Sequence, residues 1–141
     1  MPEPAPQEPR LRQHPSERFA VPQLLVDLET VISKLRSEPH AGERGHRQET
    51  LYRRGGFTVA LFAFDRFTGL SNHKAKGIVN IHVLRGCMKI IAADQVHELR
   101  AGQMVILAPG LEHAVAAEEE GEILVTVYLT EMVDNDLPPP T

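Results

Sequence analysis

Tryptophan is absent from the chain and tyrosine occurs only twice, so a carbohydrate platform or a base-stacking surface has little to build on. A single cysteine, Cys87, excludes an internal disulfide, and there is no Cys-x-x-Cys pair to hold a metal or carry redox chemistry. No apolar run approaches the roughly 18 to 20 residues of a membrane-spanning helix. The start lacks the basic and then apolar stretch of a secretory signal, which makes the cytoplasm the expected location. Positive charge is not in excess either. Fifteen Lys and Arg against nineteen Asp and Glu leave a net charge of -4, with no basic field to draw in nucleic acid. Neither a Gly-x-Ser-x-Gly elbow nor a phosphate-cradling glycine loop occurs. What is present is 141 residues, 42% apolar and 24% charged, the size and balance of one soluble domain with its own core.

Proline is scarce in the middle and crowded at the ends. Pro2, Pro4, Pro6, Pro9 and Pro15 fall in the first fifteen residues and Pro138, Pro139 and Pro140 in the last four. Residues 1–19 therefore read as a disordered Pro-rich tail, since Pro, Glu, Gln and Arg bury too little apolar surface to offset the entropy of ordering. Residues 131–141 read as a second flexible tail. From Val21 to Ser37 the apolar residues Leu24, Leu28, Val31 and Leu35 recur at helical spacing, with Leu25 and Ile32 widening the stripe. Pro22 suits a first turn, Asp27 and Glu29 suit the N-terminal end, Lys34 and Arg36 the C-terminal end. With the polar linker His40 to Gln48 this makes a helix-and-linker segment over 20–48, packed on a domain that follows. His14, His40 and His46 fall in tail or linker and are expected to be exposed.

The remainder, 49–130, changes to short apolar runs separated by glycine. Candidate strands are Thr50–Arg54, Phe57–Asp65, Ile78–Leu84, Cys87–Ala92, Val105–Ala108, His113–Ala117 and Glu122–Leu129. Gly55 and Gly56, Gly69, Gly77, Gly86, Gly102, Gly110 and Gly121 each fall at or beside an expected turn, where positive φ is needed. Strands this short, with no helix between them, predict an all-β sandwich or small barrel. The first 56 residues hold nine basic and eight acidic side chains and the rest six and eleven, so the β region is the acidic one. Glu118, Glu119 and Glu120 read as a solvated turn.

Two stretches of the β region resemble the signature motifs of the cupins. Gly102, five residues, Ala108, Pro109, Gly110, two residues and His113 match the second motif with one proline displaced. Val83, Leu84, Arg85 and Gly86 match the end of the first, with Leu70 to His73 ahead of it and Gly86 to Gly102 as the hairpin between motifs. The resemblance implies an all-β, cupin-type jelly-roll β-sandwich or barrel with one N-terminal helix. It also implies a divalent metal (Fe, Mn, Ni or Zn), a small-molecule ligand, and a homodimer; the charge and the short apolar runs add the expectation of no nucleic acid and no membrane partner. Of the motif's metal ligands only His73 and His113 remain; Ala75 and Val79 stand where a histidine and the glutamate belong. The strand alternation gives Val79, Ile81 and Val83 one face and Asn80 and His82 the other, so His82 points out of the barrel. His97 is assigned to the turn Ala93 to Glu98. The pocket residues are then Val79, Ile81, Val115 and Ala75, with His73 and His113 as metal ligands or as hydrogen-bonded wall residues. Cys87 reads as a small buried hydrophobe, and Arg53, Arg54, Lys74 and Lys76 as solvated strand ends or an anion-attracting mouth. Two functions stay open. One is a non-catalytic or sensory cupin binding a small molecule in a mostly apolar pocket. The other is a metal-dependent cupin enzyme, oxygenase or isomerase in type, acting on a small organic acid or aromatic.

Overall fold

The computed structural model describes residues 21–38 and 46–129, so the expectations for both tails, His14 and His40 lie outside the described residues. Nine strands form two antiparallel sheets packed face to face. They are β1 (His46–Arg54), β2 (Phe57–Phe64), β3 (Gly69–His73), β4 (Gly77–Arg85), β5 (Cys87–Ala92), β6 (Gln95–Arg100), β7 (Met104–Leu107), β8 (His113–Ala117) and β9 (Gly121–Leu129). The five-stranded sheet has the order β1-β2-β9-β4-β7 and the four-stranded sheet the order β3-β8-β5-β6. Each inner face supplies alternate residues to one core, including Phe64, Val79, Ile81 and Val83 from one sheet and Met88, Ile90 and Val115 from the other. No helix among the described residues is long and apolar enough to cross a membrane.

The helix is shorter than the apolar stripe predicts. It is α1 (Leu28–Arg36), and Asp27 is its N-cap, the carboxylate accepting from the amides of Glu29 and Thr30 at 3.1 and 3.4 Å. The cap ends the helix there, and Leu24 and Leu25 before it stay exposed. Leu28, Val31, Ile32 and the buried Leu35 pack on the outer face of the five-stranded sheet, against Leu51, Leu61, Ala63, Val59, Leu84 and Leu124. Val59 and Leu61 thus go under the helix while Phe62 and Phe64 face the core, as the alternation in β2 requires.

An ion cluster fastens the end of α1. Glu122, on the outer face at 1% exposure, accepts from Arg36 Nε at 3.1 Å and from Arg85 Nε at 2.8 Å. The same Arg36 guanidinium donates to the carbonyls of Phe64 and Gly121. Burial pushes the Glu122 carboxyl up, but the hydrogen bonds from Arg85 and Arg36 outweigh it and hold the group below the usual range.

Several expectations are corrected. β1 begins at His46, inside the expected linker, and His46 is buried, its ring 5.8 and 5.7 Å from those of Phe62 and Phe64. β3 and β6 were not foreseen, and His97 lies on β6 rather than in a turn. The turn is only Ala93 and Asp94, both at positive φ. Gly69, Gly77 and Gly121 lie beside turns as the first residues of strands, but none has the positive φ expected of them. At Gly77 the need for glycine is steric: a Cβ would run into the carbonyl of Tyr128 on β9.

Candidate functional site

At one end of the barrel, marked by the exposed His73, the two sheets leave a space between them. β3 and β8 are neighbours in the four-stranded sheet, and His73 and His113 are direct partners across them, so both rings lie on the same face. The ring centroids are 4.2 Å apart in an edge-to-face arrangement. Two loops set this pair. Gly110, at φ +78, turns the loop that leads into β8, and its amide donates to the carbonyl of Ala75 at 2.9 Å, tying that loop to the one that follows His73. The motif glycine is therefore a register device for His113.

Each imidazole is oriented by its own backbone. His73 Nδ1 lies 2.9 Å from the carbonyl of Ser71 and His113 Nδ1 3.0 Å from that of Leu111. A carbonyl only accepts, so Nδ1 carries the proton in both rings and donates. In the neutral tautomer the nitrogen left for a ligand is Nε2, as an acceptor.

Behind the pair lies a cavity of about 160 Å³ lined by Thr58, Ala60, Phe62, Leu70, His73, Ala75, Val79, Ile81, His113, Val115, Val125 and Val127. The four pocket residues named from the sequence and both histidines line this one space. Sequence reading did not reach the contributions of β2 and β9. In hindsight the alternation that sends Phe64 inward also sends Thr58, Ala60 and Phe62 inward. His113 is 2% exposed, whereas His73 sits at the exposed rim. His82 is paired with Met104 and Leu124 on the outer face and takes no part. Glu112 is exposed and also stands apart. Cys87 is buried outside the lumen; burial and a hydrogen bond to Glu98 push its thiol up, which makes it a poor nucleophile. A larger groove, about 430 Å³, lies under residues 22–28 against Leu51, Tyr52 and Phe57, but it is lined by neither histidine.

The fit to a metal fails on donor count. Ligating histidines commonly donate their second nitrogen to a carbonyl, and both rings here do so. A catalytic metal nevertheless takes about three protein ligands, and among the described residues no three of His, Cys, Asp and Glu come together. Val79, 3% exposed and apolar, occupies the place of the carboxylate. The described residues offer two ligands and no third, one short of a resident metal centre.

No family model and no curated protein matches this chain by sequence. Solved structures do match it by shape. It is similar to a cupin superfamily protein from Desulfitobacterium hafniense at 17% identity and a TM-score of 0.63, over 79% of this chain and 95% of that one. It is similar to a conserved protein of unknown function from Streptococcus pyogenes at 18% identity and 0.61, over 89% and 96%. It is also similar to salicylate 1,2-dioxygenase from Pseudoaminobacter salicylatoxidans at 12% identity and 0.59, over 76% of this chain and 32% of that one. An enzyme and a protein without an assigned role share the architecture, so shape alone does not choose a chemistry. The two facing antiparallel sheets, the helix laid on one of them and these likenesses agree on a single conclusion: the chain has the jelly-roll fold of the cupins.

Proposed function

We propose that the chain binds a small, mostly apolar molecule in the barrel lumen and that the Nε2 atoms of His73 and His113 orient it, without a chemical step. The observation that carries this reading is the pair of backbone-fixed imidazoles on the wall of an otherwise apolar cavity. A dry cavity of about 150 Å³ is large enough for a benzene ring, so the lumen is matched to a ligand of one ring or a short branched chain. Two acceptor nitrogens select a molecule with a hydroxyl to donate. Phenol is a suitable probe. Its binding, followed by amide chemical shifts, is expected to move the signals of Val79, Val115 and Val127. A His73→Phe, His113→Phe double variant should weaken it by about tenfold, the worth of one net hydrogen bond. Shifts confined to the outer face, or an affinity that ignores the double variant, would reject the reading.

The carbonyl-bound Nδ1 atoms also favour a second reading, the metal-dependent oxygenase or isomerase. It needs an ion held by two imidazoles and completed by its own substrate. Elemental analysis of chelator-free protein beside a His73→Ala, His113→Ala variant separates the two. The binder reading expects no stoichiometric metal in either; about one ion per parent chain and none in the variant would put the enzyme first.

A further inference from the structure

We propose that the ligand of this lumen is an amphipathic anion bound head-out, its apolar body inside and its charged group at the mouth among Arg53, Lys74 and Lys76. The proposal rests on the lumen reading and adds the ligand's charge and direction.

Strand register places the first cation. Arg53 is the direct partner of Thr58 across β1 and β2, and directly opposed residues share a face. Thr58 lines the cavity, so Arg53 is the side chain beside it on the lumen side, exposed at the rim. The loop after β3 places the other two. Ala75 lines the cavity and is flanked by Lys74 and Lys76, both exposed, and its carbonyl is held by Gly110. Arg53 and Lys76 already hold contacts within the chain, so an incoming anion joins or replaces them.

The two ends of the barrel differ in charge balance. The hairpin between β1 and β2 and the loop between β3 and β4 carry Arg53, Arg54, Lys74 and Lys76 at the His73 end, where the described acids are Asp94 and Glu112. The opposite end mixes the signs: Asp65, Glu118, Glu119, Glu120 and Glu122 stand there with Arg36, Arg47, Arg66, Arg85 and Arg100, most of them ion-paired. A net charge of -4 makes a cationic mouth the opposite of what the whole chain would give. Low-dielectric walls behind a charged rim focus that field on whatever approaches.

The interior fixes the direction. In their neutral form the two Nε2 atoms offer lone pairs, which repel a carboxylate and accept from a hydroxyl. A carboxylate pushed into the lumen would also lose its hydration, with little beyond the Thr58 hydroxyl to replace it. An anion that uses this pocket leaves its charge outside.

The test compares 4-hydroxybenzoate with 4-hydroxybenzamide, two ligands of one shape and different charge. Both are titrated into the full chain by calorimetry at pH 8, in about 25 mM and about 300 mM salt, with amide shifts reporting the site. In low salt the acid should bind about tenfold tighter than the amide, as a few partly screened charge contacts would give. The ratio should shrink in high salt, and in Arg53→Gln, Lys74→Gln, Lys76→Gln protein the acid should fall to the amide's affinity. Equal binding of acid and amide in the parent would overturn the cationic mouth while leaving the lumen reading standing. A preference that survives in the triple variant would move the anion site elsewhere and overturn the proposal as well. Failure of both compounds to shift lumen signals would overturn the lumen reading itself.

Discussion

The two sheets turn outer faces of opposite character away from a shared core. On the five-stranded sheet Val59, Leu61, Ala63 and Leu124 are apolar and lie under α1, and a buried carboxylate beside them, Glu122, is closed in by Arg36 and Arg85. On the four-stranded sheet Lys89 pairs with Glu118 at 2.8 Å, and Arg100 lies within 3.6 Å of Glu98 and 3.8 Å of Glu119, every partner more than a third exposed. The residue types are the same and the surroundings differ. A buried carboxylate without its arginines is an unpaired charge in a dry place, whereas an exposed ion pair exchanges one set of solvated contacts for another.

The contrast can be broken by mutation. The largest loss is expected at Leu35, the buried residue that seats α1: Leu35→Ala should cost about 3 kcal/mol in urea unfolding. A cost below about 1 kcal/mol would mean that the helix does not close that face. Glu122→Gln should cost about 2 kcal/mol, less than a fully buried pair because Arg85 is half exposed. Its pH dependence sharpens the point. The folded carboxyl titrates below its unfolded value, so its contribution is complete above about pH 4.3 and is lost as pH falls through the folded value. The stability gap between parent and Glu122→Gln should therefore narrow in acid; a constant gap would assign the cost to packing. On the four-stranded sheet the next effect has the opposite sign. Ala93 and Asp94 both sit at positive φ in a two-residue hairpin, and replacing them with Asn and Gly should add about 0.5 to 1 kcal/mol. Smallest of all, Lys89→Ala should stay within about 0.5 kcal/mol.

The same contrast explains what could be read from the sequence. Where a strand is apolar on both faces, as in β2, or carries an unbroken apolar face, as Val79, Ile81 and Val83 do in β4, its position is plain. The glycine and histidine spacing from Gly102 to His113 located the second half of the site. β3 has Leu70 as its only large apolar residue, and β6 alternates polar Gln95, His97 and Glu98 with Val96 and Leu99 at a sheet edge, so neither announces itself by composition. The stripe through Leu24 continued the helical period, but Asp27 prefers to cap. His46 looked like a linker residue because its neighbours are polar; the rings that bury it come from β2. Glu122 was legible only as the start of a strand, since the arginines that pair with it lie 86 and 37 positions away. Pairings of that length are properties of the topology, invisible to local pattern.

The strand order also sets a timetable for assembly. All strands of the four-stranded sheet lie between Gly69 and Ala117, so that sheet has every member once residue 117 is available. The five-stranded sheet does not, because β9, the last of the described strands, sits between β2 and β4 at its centre. Until Gly121–Leu129 arrives, β2 and β4 have no partner to join them, α1 has half a surface to rest on, and Glu122 is missing for both arginines. Contacts this far apart in sequence are slow to form. During synthesis the half of the barrel that carries both histidines can be complete while its other wall is still waiting for the final strand.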